Sequence, residues 1–151
     1  MYDIAYKISR FTFASMRRQP AENGIGAIGK QPDKRTVLVI DDDDSILDLL
    51  EYLLTDNGYR VRVARDGQEA LNLVAHEQPD LILLDLMMPV VNGWEVMWRL
   101  RQDDETVHIP VIIISADQNV AKKANDLEAE DYIAKPFDVD EIVGKIGRLL
   151  A

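Results

Sequence analysis

The chain has 151 residues, of which 47% are hydrophobic and 29% charged, a balance typical of one globular domain with a hydrophobic core. The absence of cysteine excludes disulfide bridges, thiolate nucleophiles and thiolate-bound zinc. No apolar run approaches the length of a membrane span, and the N-terminus lacks the apolar core of a signal peptide, so a cytoplasmic protein is expected.

Charge is divided unevenly along the chain. Residues 1–35 hold seven basic and three acidic side chains, a net charge of +4. The whole chain has a net charge of −10, so residues 36–151 have a net charge of −14. A domain this acidic repels the phosphate backbone of nucleic acids, so no direct nucleic-acid binding is expected. Its charge suits a metal ion or a protein partner that brings positive charge.

Residues 1–35 are predicted to be an N-terminal extension followed by a flexible linker. The stretch 19–35, QPAENGIGAIGKQPDKR, is rich in Gly, Pro and polar residues and has no periodicity, as in a linker. Ile4, Ile8 and Phe11 fall at helical spacing, so residues 1–18 are either a disordered tail or an amphipathic helix that binds a partner or a membrane surface. Translation that begins at Met16 is a third alternative.

From Thr36 onward the sequence predicts five strands, each followed by a helix. The second predicted strand, YRVRVA, alternates apolar and basic residues as an exposed edge strand does, whereas the first, TVLVI, is continuously apolar like a strand covered on both faces. This alternation predicts an α/β fold, a flavodoxin-like doubly wound (βα)5 sandwich whose parallel five-stranded sheet has the order 2-1-3-4-5. The predicted strands cover residues 36–40, 59–64, 80–85, 110–115 and 131–135, and the predicted helices cover 45–54, 66–77, 93–103, 119–127 and 138–150.

Capping residues and apolar stripes support the predicted helices. Asp66 and Asp138 stand where helix N-caps are expected, each with a glutamate three residues further on. The first helix is expected to bury one face, which consists of Ile46, Leu49, Leu50, Leu53 and Leu54.

Side chains with a charge or a hydroxyl follow four of the five predicted strands. Asp41 and Asp42 follow the first strand, Asp85 ends the third, Ser115 ends the fourth and Lys135 ends the fifth. In a sheet of this topology, ligands bind beyond the carboxyl ends of the strands. These five side chains are therefore expected to converge.

This convergence explains a run of four aspartates, 41–44. Two like charges 4 Å apart repel by about 4 kcal/mol even at an effective dielectric of about 20. Mg²⁺, which takes one or two carboxylates plus phosphate oxygens, is the expected cation that offsets the repulsion. Asp43 and Asp44 are expected to turn into the start of the first helix, where negative charge is favourable. An ammonium and a hydroxyl that face the same metal mark a place for phosphoryl oxygens.

Four motifs in order resemble the receiver domain of two-component response regulators: VLVIDDD, LILLDLMMPVVNGWE, VIIISA and DYIAKPF. The resemblance covers residues 36–151, and it implies that Asp85 is the phosphoacceptor. It also implies a metal site made of Asp41, Asp42, Asp85 and the backbone carbonyl of Met87, and phosphoryl contacts from Ser115 and Lys135. Ser115 and Tyr132 match the family's switch residues, and Lys135–Pro136 matches a bond that is cis in the family.

The resemblance implies a signalling switch rather than an enzyme, with metal-dependent self-phosphorylation and self-dephosphorylation as its only chemistry. A histidine kinase or histidine phosphotransfer protein would supply the phosphoryl group, and the face formed by helix 4, strand 5 and helix 5 would signal to a protein partner. Because the sequence ends at Ala151, no attached output domain is expected. Monomer and dimer remain open. Glu128 stands where the family usually has glycine, so the end of helix 4 is expected to be unusual.

Two alternatives belong to other functional classes. In a haloacid-dehalogenase-type phosphatase, Asp41 would be the nucleophile and Asp43 the general acid, but that hypothesis leaves Asp85 without a role. In a receiver-like binding module, the same fold would bind partners without phosphorylation. Trp94 and Trp98, one helical turn apart, are interpreted as packing residues with partner binding as the alternative.

Overall fold

The computed structural model describes residues 33–89 and 91–151, and residues 33–151 form one compact unit. The predictions for the N-terminal extension and most of the linker concern residues 1–32, which lie outside the described residues, so the domain boundaries stay predictions. Five strands alternate with five helices in the order β1 (Thr36–Ile40), α1 (Asp44–Asp56), β2 (Arg60–Ala64), α2 (Gly67–His76), β3 (Leu81–Asp85), α3 (Gly93–Gln102), β4 (Val111–Ser115), α4 (Val120–Asp126), β5 (Asp131–Ala134) and α5 (Val139–Leu150). In this part of the chain, no helix combines the length and apolar character that crossing a membrane requires.

The five strands form one parallel sheet in the order β2-β1-β3-β4-β5, which confirms the predicted topology. The register sets Asp85 beside Ile114 and Ser115 beside Ala134, so the carboxyl ends of neighbouring strands meet at one edge of the sheet. The edge position of β2 is confirmed as well. Its two arginines both pair with Glu77, which follows α2.

Buried side chains form two clusters, one on each face of the sheet. Alternate residues of β1 and β3 enter opposite clusters, because successive side chains of a strand point to opposite faces. One cluster contains residues of α2, α3 and α4, and the other contains residues of α1 and α5. The sheet is therefore covered on both sides, as expected for a doubly wound fold.

Helix α1 buries three of the five residues of the predicted stripe, together with Leu47. Its buried residues are Leu47, Leu50, Leu53 and Leu54, whereas Ile46 and Leu49 are only half-buried. Leu47, Leu50 and Leu54 follow one another at spacings of three and four, so they line one face that points straight at the sheet. The buried face is therefore rotated toward Leu47 relative to the predicted stripe.

The end of α4 has the unusual backbone that the sequence predicted. Helix α4 is seven residues long, and Glu128, which follows it, has φ +58°, the left-handed conformation that favours glycine. The guanidinium of Arg101 donates a hydrogen bond of 3.3 Å to the carbonyl of Glu128 and bonds of 3.1 Å to the carboxylate of Glu130. Arg101 thereby fastens the turn between α4 and β5 to the end of α3.

Candidate functional site

Asp41 is a buried carboxylate directly after β1. Its backbone N–H donates to the carbonyl of Ala64, which prolongs the pairing of β1 with β2 by one residue. One carboxylate oxygen, Oδ1, accepts a 2.9 Å bond from the N–H of Asp43, and the other, Oδ2, accepts a 2.9 Å bond from Nζ of Lys135. Asp42, the next residue, is exposed. Asp41 is thus fixed on both oxygens, while Asp42 faces the space above the strand ends.

Asp85 is the last residue of β3, and its carboxylate is also buried. Oδ1 accepts a 3.0 Å bond from the backbone N–H of Met87, and Oδ2 lies 3.4 Å from Nζ of Lys135. The start of α3 packs tightly beneath it, since a Cβ added at Gly93 would come within 2.7 Å of the Asp85 carbonyl oxygen and of Cα of Leu86. The glycine lets the helix approach close enough to define where β3 ends.

Asp41, Asp42 and Asp85 come together as the sequence predicted. One carboxylate oxygen of each residue lies within 4.8 Å of the corresponding oxygens of the other two. Three hard oxygen donors at this separation fit a divalent cation such as Mg²⁺, which prefers carboxylate and water ligands. The donor set therefore matches the cation that the sequence predicted.

Asp43 and Asp44 turn away from this group, as expected. Asp43 is the N-cap of α1, and its Oδ1 accepts a 2.9 Å bond from the N–H of Ser45. Asp44 lies in the first turn of α1 and pairs with Arg65 at 2.7 Å. Negative charge is favourable at a helix N-terminus, so the run of four aspartates divides into two site residues and two helix residues.

Lys135 reaches the two buried carboxylates from the end of β5. Its N–H donates a 2.9 Å bond to the carbonyl of Ser115, which aligns the ends of β4 and β5, and the Lys135–Pro136 bond is cis as the resemblance implied. Only 21% of its side chain is exposed, so the ammonium lies within the site.

The electrostatics of Asp85 and Lys135 differ in origin. Burial raises the pKa of Asp85 above its ordinary value of 3.8, and the negative charge of Asp41 raises it further. The hydrogen bond from the N–H of Met87 and the positive charge of Lys135 lower the pKa, but by less. Burial lowers the pKa of Lys135, but its hydrogen bond to Asp41 and the charges of Asp41 and Asp85 outweigh burial and hold the pKa above 10.5. One cation is shared by two acids, so each acid is only partly compensated.

Ser115 and Tyr132 occupy different surroundings. Ser115, the last residue of β4, is buried, and its Oγ accepts a 3.1 Å bond from the N–H of Asp117. Tyr132, in β5, is 39% exposed, and Nζ of Lys145 in α5 lies 4.9 Å from the centroid of its ring. Sequence reasoning missed Lys145, because its spacing along α5 carries no sign of a contact with β5.

Three further side chains differ from expectation or add to it. Trp98 is 63% exposed, so the packing interpretation is wrong for this residue, while Trp94 is more covered and lies 5.9 Å from Nζ of Lys123. The Met87 side chain is 65% exposed, and its backbone is the part that faces Asp85.

Comparison with known proteins identifies a family for this chain. The family model of the response regulator receiver domain matches residues 37–147. Among curated relatives, the DNA-binding dual master transcriptional regulator RpaA of Synechocystis is 44% identical over 76% of this chain and 48% of its own length. Response regulator MprA of Mycolicibacterium vanbaalenii is 38% identical over 76% of this chain and 49% of its own length. The chain thus spans about half the length of these relatives.

Solved structures of similar proteins share the fold. A putative response regulator of Chloroflexus aurantiacus has a TM-score of 0.74 and 32% identity, and the match covers 78% of this chain and 98% of that chain. The response regulator TrrA of Thermotoga maritima, solved in complex with Mg²⁺–BeF, has a TM-score of 0.70 and 31% identity over 77% of this chain and 99% of that chain. The chain therefore belongs to the response regulator receiver domain family of two-component signalling.

Proposed function

We propose that this protein is a phosphorylation-controlled switch and that Asp85 is its phosphoacceptor. The observation that carries the proposal is the position of the Asp85 carboxylate, which lies between two further aspartates and the Lys135 ammonium at the ends of the strands. Neither a structural role nor a simple surface cluster needs two buried carboxylates beside a half-buried lysine, because burying charges costs free energy. A site that handles phosphoryl groups needs this combination of charges.

The chain's own residues prepare Asp85 for nucleophilic attack. The N–H of Met87 holds one carboxylate oxygen, so the orientation of the carboxylate is fixed relative to β3. The other oxygen, beside Lys135, forms the new bond to phosphorus while the bond from phosphorus to the donor imidazole nitrogen breaks and that nitrogen keeps the electron pair. The burial that raises the pKa of Asp85 leaves the carboxylate weakly solvated and thereby more reactive.

Charge compensation comes from two sources. When bound by the carboxylates of Asp41, Asp42 and Asp85 and the carbonyl of Met87, Mg²⁺ would neutralise charge on the transferred phosphoryl oxygens. The Lys135 ammonium, whose raised pKa keeps it charged at neutral pH, would pair with one of those oxygens. Lys135 lies within reach of both acids, so it needs only a small shift from Asp41 to meet the new group.

Ser115 and Tyr132 are proposed to convert phosphorylation into a change of shape. The Ser115 oxygen accepts a bond from the N–H of Asp117, so its hydroxyl hydrogen is available for a phosphoryl oxygen. A phosphoryl group carries about −1.5 to −2 charge at neutral pH, and this charge draws the hydroxyl toward Asp85. The ring of Tyr132 would then move inward into the space that Ser115 leaves, which changes the face formed by α4, β5 and α5.

The proposed partners follow from this role. A histidine kinase or a histidine phosphotransfer protein would donate the phosphoryl group, and a protein partner would bind the changed face. The relative RpaA is named as DNA-binding, and this chain covers only 48% of it. Since residues 36–151 carry a net charge of −14, we propose a protein rather than a nucleic acid as the direct partner of this domain.

The phosphatase alternative has less support. It needs the Asp43 carboxyl as a general acid, but that carboxylate accepts the N–H of Ser45 at the N-cap of α1. It needs Asp41 as the nucleophile, but Oδ2 of Asp41 is the closer partner of Lys135, at 2.9 Å against 3.4 Å for Oδ2 of Asp85, so Asp41 is the more tightly held of the two. A binding module without phosphorylation would not require Lys135 to lie between the buried carboxylates of Asp41 and Asp85.

Labelling with a small phosphodonor tests the proposal. The protein is incubated with radiolabelled acetyl phosphate and Mg²⁺, and we expect one phosphoryl group per chain, labile to hydroxylamine. The label should not form when Mg²⁺ is chelated before the phosphodonor is added. Asp85→Asn should abolish the label. Asp43→Asn is the matched control, since it removes one aspartate of the same run but keeps a good N-cap, and it should label normally. Normal labelling of Asp85→Asn would overturn the assignment.

A further inference from the structure

The outward position of the Tyr132 ring coincides with a cation placed against it. Nζ of Lys145 lies 4.9 Å from the ring centroid, within the distance of about 6 Å at which an ammonium is attracted to an aromatic face. The same ammonium donates a 3.1 Å bond to Oδ1 of Asp131 and another bond to the backbone carbonyl of Tyr132. It also lies 3.4 Å from Glu141, one turn earlier in α5. Lys145 is thus held from several directions.

Asp131 anchors this arrangement and offers a matched comparison. Its carboxylate, 17% exposed, pairs with Lys145 through Oδ1 and, at 2.7 Å, with Arg148 through Oδ2. Both cations come from α5 and share one carboxylate. Of the two, Lys145 is the one placed over the Tyr132 ring. A change at Arg148 therefore perturbs the same ion pair without removing the contact with the ring.

We propose that Lys145 is a positioning residue that holds the Tyr132 ring outward and thereby sets the resting balance of the switch. The proposal rests on the function proposed above, in which the ring moves inward when Asp85 is phosphorylated. An inward movement takes the ring away from the ammonium, whereas the bonds of Lys145 to Asp131 and to the Tyr132 carbonyl involve atoms outside the ring. Lys145 therefore stabilises the outward state selectively.

The size of the effect follows from population shift. A cation–π contact of this kind favours the outward state by about 2- to 10-fold in the equilibrium constant. A ligand that selects the inward state binds more weakly by the same factor, because it must first displace the ring from Lys145. A variant that lacks the Lys145 ammonium should therefore bind a phosphoryl mimic about 2- to 10-fold more tightly.

A first experiment measures the ring directly in the metal-free protein. The chain has five tyrosines, so 3-fluorotyrosine is incorporated and the Tyr132 signal in the ¹⁹F NMR spectrum is assigned with Tyr132→Phe. The difference in its chemical shift between H₂O and D₂O reports exposure to solvent. We expect Lys145→Met to lower this exposure, while Lys145→Arg, which keeps a cation, and Arg148→Met both leave it near the wild-type value. An unchanged value in Lys145→Met, or an equal drop in Arg148→Met, would overturn the proposal.

A second experiment measures affinity for beryllofluoride in the presence of Mg²⁺. Lys145→Met should bind about 2- to 10-fold more tightly than wild type. In a Tyr132→Leu background the same substitution should have no effect, because the ring on which Lys145 acts is absent. A gain that persists in that background would show a role unrelated to the ring. If wild type does not bind beryllofluoride, the proposed function fails, and the NMR measurement still decides the role of Lys145.

Discussion

The ammonium of Lys135 donates a 2.9 Å hydrogen bond to Oδ2 of Asp41, a residue 94 positions away in the sequence. The same ammonium lies 3.4 Å from Asp85, so one half-buried cation is shared unequally by two buried acids. This inequality separates two aspartates that the sequence alone presents as similar. Asp41 is the closer partner of Lys135, and Asp85 is the less compensated of the two, which fits its proposed role as the phosphoacceptor.

Neutralising these two aspartates should have opposite effects on the metal-free protein. The raised pKa of Asp85 means that the fold favours its protonated form; that stability is present below pH 3.8 and is lost as pH rises through the folded pKa. At pH 7 we therefore expect Asp85→Asn to raise the free energy of unfolding by roughly 1 kcal/mol, which raises Tm by a few degrees. Asp41→Asn loses the charged partner of Lys135 and should lower stability by about 1–3 kcal/mol. Thermal melts in a chelator check this, and shifts of the same sign would contradict it.

Magnesium should stabilise the wild type through the carboxylate group. Because the cation binds the folded state, Tm should rise with Mg²⁺ concentration. Asp42→Asn should weaken this response strongly, and it should also raise Tm of the metal-free protein because repulsion is relieved. Asp43→Asn, next in the chain but directed into α1, should keep the full response. Equal loss of the Mg²⁺ response in both variants would show that the cation does not bind where we place it.

Two glycine-to-alanine substitutions should change stability in opposite directions. A Cβ at Gly93 would overlap the backbone of Asp85 and Leu86, and we expect Gly93→Ala to cost about 1–3 kcal/mol and to reduce labelling of Asp85. At Gly144 no atom lies within 4 Å of an added Cβ, so Gly144→Ala should stabilise α5 by about 1 kcal/mol. Urea denaturation gives both values. A neutral Gly93→Ala would mean that α3 shifts away without harm to the site.

The stability that the Asp131 carboxylate of β5 contributes through Lys145 and Arg148 of α5 should depend on pH. Burial alone would raise the pKa of Asp131, but bonds from the N–H of Tyr132, Lys145 and Arg148 outweigh it and hold the pKa below 3.8. A depressed pKa gives stability that is present above pH 3.8 and is lost as pH falls through the folded value. Asp131→Asn should therefore cost about 1–2 kcal/mol at pH 7.

That cost should shrink as pH falls below 3.8, the ordinary pKa of an aspartate. Unfolding free energies at several pH values give the comparison. Asp104→Asn, an exposed substitution in the turn after α3, should change stability little at any pH. A cost for Asp131→Asn that does not vary with pH would indicate that shape rather than charge matters at this position.

Much of the fold could be predicted because its signals are local. The continuous apolar runs of β1 and β3 identify central strands, and the basic alternation of β2 identifies the edge. The N-caps Asp66 and Asp138 accept N–H groups of their helices as expected, and Asp43, which was expected to turn into its helix, caps it in the same way. The site followed from topology, since side chains at the carboxyl ends of parallel strands must meet.

The rest depends on contacts that no sequence spacing encodes. Arg101 joins the carbonyls of Val107, Ile109 and Glu128 with the carboxylate of Glu130, and its partners lie up to 29 positions away. The Glu128 backbone was predicted to be unusual from a missing glycine, but the arginine that holds its carbonyl could not be identified. Lys145 was missed for the same reason, because the contact depends on how α5 lies over β5.

The most direct test of the central claim is to map the phosphorylated residue itself. After reaction with acetyl phosphate and Mg²⁺, borohydride reduces an aspartyl phosphate to homoserine, and peptide mass spectrometry then identifies the modified position. Our account predicts homoserine at position 85 and at no other aspartate, with the modification absent when Mg²⁺ is chelated. Homoserine at position 41 would contradict the account, because it would make Asp41 the nucleophile and favour the phosphatase alternative.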